Sequence, residues 1–144
     1  MKLSKYFTLV ILLVSLAILS GCSAQQLSAD EVQKFANPIT EDMLLAMNED
    51  DYPRFSRDFD EQMKTSLNEA QYKNTIRPIK AKIGSYLSKE FISTENKDGY
   101  TVVLYKTRFS QEPDDVIVRS VFSDKNGKKY ISGFWLDSSK LRSN

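Results

Sequence analysis

The hydrophobic period of this chain changes once, at Gly84, and that change governs what it can fold into. Before it, apolar residues recur at helical spacing: Val32, Phe35, Ala36, Ile39, Met43 and Met47, then Tyr72, Ile76, Ile79 and Ile83. After it, they alternate, as strand residues do when their side chains point to opposite faces. Helices followed by strands make an α+β domain, with the helices on one face of an antiparallel sheet. About three N-terminal helices are therefore expected on a four-stranded antiparallel sheet.

The helix boundaries are written in local chemistry. Ser28-Ala-Asp-Glu31 is a capping box that opens a first helix, and Asn48-Glu-Asp-Asp51 closes it, since acids are unfavourable at a helix C-terminus. Pro38 lies inside the apolar stripe without breaking its phase, which predicts one kinked helix. A short second helix carries Tyr52, Phe55 and Phe59, then Met63 and Leu67. Asn68 caps a third, bent at Pro78 and ended by Gly84.

Four strands follow: Tyr86–Thr94, Tyr100–Phe109, Val116–Ser123 and Lys129–Asp137. Asp98-Gly99 and Asn126-Gly127 are the signals of tight hairpin turns, whereas Ser110–Asp115, with Pro113, predicts a looser connection. The strands are apolar on both faces. Three helices cover only one of them, so the sheet either curls around a pocket or packs its outer face on a partner.

The first 22 residues carry a separate message. Lys2 and Lys5 precede an uncharged run, Tyr6–Leu19, that is too short for a spanning helix of about 20 residues. Leu19-Ser20-Gly21-Cys22 then resembles the lipobox of bacterial lipoproteins. By that resemblance, cleavage falls between Gly21 and Cys22, and Cys22 carries the lipid, a diacylglyceryl thioether with palmitate-type acyl chains. It is the one cysteine in the chain. The expected organisation is a signal peptide over residues 1–21, a lipidated cysteine and tether over 22–28, and a single domain over 29–144. The expected location is the extracytoplasmic side of a cell membrane or outer membrane.

Several chemistries are excluded by what the chain lacks. It has no histidine, so it has no imidazole base, ligand or pH switch. One cysteine allows neither an internal disulfide nor a thiolate zinc site. With 20 basic against 19 acidic residues, there is no electrostatic footprint for nucleic acid. Neither Glu49-Asp50-Asp51 nor Asp114-Asp115 has the spacing of a calcium loop, so no metal is expected. No serine sits in a catalytic framework and no glycine-rich phosphate loop is present, so no catalytic residue and no cofactor are assigned. Lys73, Arg77, Lys80 and Lys82 on the third helix read as a solvated face.

Asn48-Glu-Asp-Asp51-Tyr52-Pro-Arg-Phe55, Phe59-Asp-Glu-Gln-Met63-Lys64 and Asp98-Gly-Tyr-Thr-Val-Val103 resemble a group of small bacterial lipoprotein domains of unknown function. These are similar to the nuclear-transport-factor-2-like fold, a cone of helices in the concave side of a curved sheet. The resemblance covers most of Ser28–Asp137. It implies an apolar pocket between helices and sheet, and dimerisation through the sheet.

The candidate pocket residues are Tyr52, Phe55, Tyr105, Arg108, Phe109 and Trp135, where an Arg among aromatics orients a carboxylate or stacks on a ring. The functional expectation is a membrane-anchored binding module that does not transform its ligand. Its ligand is a small apolar or amphipathic molecule in the cone or a protein partner on the sheet, a homodimer through the sheet being one expected form. Two alternatives stand beside it: a pocket enzyme of ketosteroid-isomerase type with an Asp/Tyr pair, and a structural homodimeric envelope accessory protein.

Overall fold

A computed structural model describes residues 26–143. The expected signal segment, the cleavage point after Gly21 and Cys22 lie outside the described residues. Within them, the first helix, α1 (Ala29–Glu49), starts at the capping box. The Glu31 N–H donates to Ser28 Oγ (3.3 Å), and the Ser28 N–H donates to Glu31 Oε2 (2.8 Å). The helix continues through the exposed Pro38. Its buried stripe, including Val32, Ala36, Met43, Leu44 and Met47, is the floor of the core.

Asn48 holds the end of α1 to the sheet. Its side-chain amide donates to the Tyr86 carbonyl (2.9 Å), and its side-chain oxygen accepts from the Tyr86 N–H (2.8 Å). Asp51 then caps α2 (Tyr52–Phe55), accepting from the Arg54 N–H at 3.1 Å.

The second helix expected from the sequence is two. α2 stops at Phe55, and α3 (Glu61–Ser66) starts afresh under Asp60, which accepts from the Met63 N–H at 2.7 Å. The reason is tertiary. The residues between them lie along the edge of the last strand: Phe59 bridges Ile131 in parallel, Asp60 N–H donates to Ile131 O (2.9 Å), and Ile131 N–H donates to Asp58 O (2.7 Å). Asn68 caps α4 (Glu69–Ile83) through the Gln71 N–H (3.1 Å). Gly84 ends it with φ +83, and a Cβ there would lie 2.3 Å from Ser110 Oγ, so only glycine fits.

The sheet is a meander of β1 (Tyr86–Lys97), β2 (Tyr100–Phe109), β3 (Glu112–Lys125) and β4 (Lys128–Asp137), antiparallel throughout and in the order β1-β2-β3-β4. With four helices before it, the chain is α+β as expected. Asp98-Gly99 and Asn126-Gly127 each have positive φ at both residues (53 and 82, 56 and 82), as tight two-residue hairpin turns require.

The expected loose connection Ser110–Asp115 is instead a tight one, with Phe109 paired to Glu112 and β3 running through Pro113. Glu112 explains the difference. Its buried carboxylate accepts from the Lys140 N–H (3.0 Å) at the start of α5 (Ser139–Arg142), which fixes the strand's first residue. The Ser138 hydroxyl, first among its partners, holds this carboxyl below the usual glutamate range.

All helices of the N-terminal half lie on one face. There Tyr105, Thr107, Val116, Val118, Ser120 and Phe122 are buried, and Thr40 donates to Ser120 Oγ (3.2 Å) across the core. The β4 edge is covered by Asp58–Asp60. The β1 edge is open, and the register of β1 against β2 shifts between Tyr86 and Ser88 and again between Phe91 and Ser93, leaving Leu87 and Ile92 exposed. Such bulges blunt an edge against pairing with another chain.

A charged clasp fastens α2 to α1. Arg54 donates to Asp42 Oδ1 through Nε (2.9 Å) and Nη2 (2.7 Å), and Arg57 Nη1 lies 2.9 Å from Asp42 Oδ2 without hydrogen-bond alignment. The hydrogen bond from Arg54, more than any other influence, holds the Asp42 carboxyl below the usual aspartate range. A carboxyl lowered in the folded state stabilises above its unfolded value of about 3.9, and that contribution disappears as pH falls through the folded-state value. Asp42→Asn should therefore cost about 1–2 kcal/mol at neutral pH. Urea titrations at descending pH should show the difference from wild type closing in acid; a gap independent of pH would contradict the assignment.

Candidate functional site

The six residues expected to share a pocket lie in three places. Tyr105 and Phe109 face the helices and are core residues. The Tyr105 hydroxyl donates to Asn37 Oδ1 (3.0 Å), and burial pushes it up to about 12; Phe109 packs edge-on against Tyr86 at 5.9 Å. Tyr52 and Phe55 join Phe59, Tyr72 and Phe134 in an aromatic cluster between the short helices and β4. The Tyr52 hydroxyl is spent on the Leu67 carbonyl (3.0 Å). Arg108 and Trp135 are on the opposite face of the sheet. Arg108 is exposed and donates to Pro113 O and Asp115 Oδ1, each at 3.2 Å. Neighbouring strand residues point to opposite faces, so Arg108 and Phe109 never meet.

The Asp/Tyr pair of the enzymatic alternative occurs as Asp50 and Tyr72 (3.4 Å), but Tyr72 is buried and does not line the cleft that Asp50 borders; a second carboxylate–tyrosine pair is Glu41 and Tyr86. The Tyr86 hydroxyl donates to Glu41 Oε2 (2.8 Å), and burial, aided by Glu41, pushes that hydroxyl well above its ordinary value. Lys89, largely buried, sits 2.7 Å from the same carboxylate oxygen. None of the four clefts described below is lined by Glu41, Tyr86 or Lys89. The trio fastens α1 to β1.

The acidic and basic runs are likewise accounted for locally. Glu49 pairs with Arg54 (2.8 Å), Asp51 caps α2, and Asp50 accepts from Tyr72 (3.4 Å) with Arg77 and Lys80 at 3.5 and 3.7 Å. Among the described residues, no three His, Cys, Asp or Glu side chains converge as a metal site would require. Asp50, Arg77 and Lys80 border a cleft of about 330 Å³ near Gly84 and Gln111.

The sequence offered the outer face of the sheet as a partner surface without naming the residues that compose it. Register brings Leu104, Arg119 and Trp135 into one cross-strand row and Val102, Val121 and Gly133 into the next. Trp135 is 56% exposed. Its indole folds back along its own strand over Gly133, where a Cβ would stand 2.6 Å from ring atoms Cη2 and Cζ3. Gly133 thus serves as the bed on which the indole lies flat. The Arg119 guanidinium approaches the ring at 5.8 Å from its centroid.

A cleft of about 430 Å³ on one side is lined by Ser93, Thr94, Glu95, Val102, Leu104 and Arg119. Another of about 300 Å³ lies on the other side, between Trp135 and Met63, Ser66 and Leu67. The largest of the four, of about 590 Å³, is at the turn end of the sheet, between Leu27 and the β1–β2 turn. The Gly133-x-Trp135 spacing, with Arg119 on the neighbouring strand, is a signal that could have picked out these residues.

A family model described as a protein of unknown function (DUF3887) matches residues 40–134. No curated protein matches. Among solved structures, the solution structure of a SEC-C motif containing protein from Rhodopseudomonas palustris is similar over 77% of this chain and 95% of that one, at 13% identity and a TM-score of 0.47.

Proposed function

The chain belongs to the DUF3887 family of proteins of unknown function, and we propose that it is a lipid-anchored extracytoplasmic binding domain whose outer sheet face is its protein-binding surface. The order Lys2, Lys5, apolar run, Leu19-Ser20-Gly21-Cys22 supports the anchor at Cys22. Helices before an antiparallel meander are consistent with the nuclear-transport-factor-2-like architecture. The filled core, with Tyr105 and Phe109 buried, favours a working surface outside the cone.

The observation that carries the reading is Trp135, exposed on its Gly133 bed beside Arg119, on the sheet face turned away from the core, with Leu104 in the same cross-strand row and Val102 and Val121 in the next. Trp and Arg are the residues that dominate binding hot spots. Strand lengths and spacings give this face roughly 600 Å², close to the ~800 Å² that each partner contributes to a standard interface. The partner that fits is a second copy of this chain. Glu95 and Arg119 border the same cleft and neither has an ion-pair partner among the described residues, so the face presents opposite charges to a copy of itself.

Native mass spectrometry of the full chain in mild detergent tests this. The wild type is expected as a dimer, and Trp135→Ala and Leu104→Lys as monomers whose unfolding midpoints match that of the wild type once it is diluted to a monomer. A monomeric wild type overturns the reading.

A further inference from the structure

The chain enters the domain at one particular end of the sheet. Gln26 and Leu27 line the same cleft as Asn96, Lys97, Asp98 and Gly99, with Asp124 and Lys129 from the other hairpin. In a meander, the β1–β2 and β3–β4 turns lie at one end and the β2–β3 connection at the other. α1 then runs the length of the sheet, and Asn48 meets Tyr86 at the far end. The strands are roughly 35 Å long at 3.3 Å per residue. Cys22 precedes Gln26 by four residues, which span at most about 14 Å when extended. A lipid on Cys22 therefore brings the turn end, and not the far end, to the bilayer.

That end has a suitable chemistry. Lys97, Lys125 and Lys128 are exposed and lack a carboxylate partner among the described residues. Lys125 and Lys128 lie 5.9 and 4.9 Å from the centroid of the Tyr130 ring, and Tyr100 is 42% exposed. Lysines with apolar stems beside tyrosines are the residues that settle at a membrane–water interface. The acids at this end are Asp98, Asp124, Glu95 two residues before Lys97 and, in the first turn of α1, Asp30 and Glu31. Asp124 is held by Lys129 (2.5 Å) and the Gly127 N–H (2.8 Å), and Glu31 by its capping box.

We infer that the two-turn end of the sheet rests on the membrane, with Lys97, Lys125 and Lys128 among anionic phospholipid headgroups and Tyr100 and Tyr130 at the same depth. This rests on the lipid anchor at Cys22 proposed above. It also sets the outer face upright on the bilayer, open to a copy anchored beside it.

The test uses full-length protein extracted from membranes and returned to vesicles of equimolar phosphatidylcholine and phosphatidylglycerol carrying a headgroup nitroxide. A fluorophore is placed at Asn96→Cys, by the β1–β2 turn, or at Ser139→Cys, at the far end. The mass of the N-terminal peptide is read from the same sample. Acylated Cys22 with quenching at position 96 and little at 139 supports the inference. Acylated Cys22 with equal quenching at both positions, or stronger at 139, overturns the orientation while the anchor stands. A Cys22 without lipid overturns the anchor and this inference together.

The lysines are tested by the triple change Lys97→Glu, Lys125→Glu, Lys128→Glu. It should weaken quenching at position 96 by about threefold or more, and the wild type should lose a similar amount in vesicles of phosphatidylcholine alone. Quenching indifferent to both changes removes the headgroup contact.

Discussion

Phe55→Ala is expected to lower the unfolding free energy by about 3–5 kcal/mol, enough to bring the melting temperature down by roughly 10–20 °C. Phe55 is 1% exposed, and its ring meets Tyr72 at 4.8 Å, Phe59 at 5.4 Å and Phe134 at 6.0 Å. It joins a four-residue helix to α4 and to β4, and α2 is too short to be stable without it. Truncation leaves a cavity among rings that cannot collapse, so both transfer and cavity costs apply. Trp135→Ala removes a larger ring but should change stability by no more than about 1 kcal/mol, because that ring is already largely in water. Thermal denaturation of the two variants, at a dilution where the wild type is monomeric, checks both statements. Similar losses at the two positions would place Trp135 in the core and remove it from any binding surface.

The contrast between these two aromatics shows what the sequence made legible. Strand alternation marked the chain as helices followed by a meander, and the two Asx-Gly turns fixed β1 against β2 and β3 against β4. The capping box at Ser28 and the cap at Asn68 gave the starts of α1 and α4. The failures were tertiary. Nothing local stops a helix between Phe55 and Met63; the β4 edge does, by accepting Asp58–Asp60 as its cover. Nothing in the spacing of Tyr105, Arg108, Phe109 and Trp135 tells which are core, because each strand is apolar on both faces. Their allocation depends on where α1 lies, and α1 fills the face on which a pocket was expected.

The same filling redirects function to the surface. A wide cone would have left Tyr105 free to meet a ligand, whereas here its hydroxyl is committed to Asn37. What remains uncommitted is on the outer face, at Trp135 and Arg119, and at the turn end, in three lysines. The two regions are compatible with one arrangement: the domain stands on its turn end, and the outer face is presented laterally to a neighbour in the same membrane.

Asn48→Ala is expected to cost about 2–4 kcal/mol, a large effect for a partly exposed polar residue, because it strips two hydrogen bonds from one buried backbone unit. Tyr86 is 4% exposed, and the Asn48 side chain satisfies both its N–H and its C=O. Asn48→Asp isolates the donor half. The carboxylate still accepts from the Tyr86 N–H but faces the Tyr86 carbonyl without a proton, which raises the new aspartate's folded-state pKa above its unfolded value of about 3.9. Its penalty is then absent below the unfolded value and complete above the raised one. Relative to wild type, the variant should recover as pH falls toward about 4, the range in which the Asp42 clasp starts to weaken. Chemical denaturation across pH reads this, and a penalty constant with pH would assign the loss to something other than the missing donor. The outcome also bears on why the segment from Asn48 to Phe55 discloses no chemistry. In Asn48-Glu-Asp-Asp51-Tyr52-Pro-Arg-Phe55, Asn48 clamps the sheet, Asp51 caps α2, Tyr52 reaches the Leu67 carbonyl and Phe55 fills the core. Each of these is a requirement of folding, so the segment specifies an architecture and names no ligand.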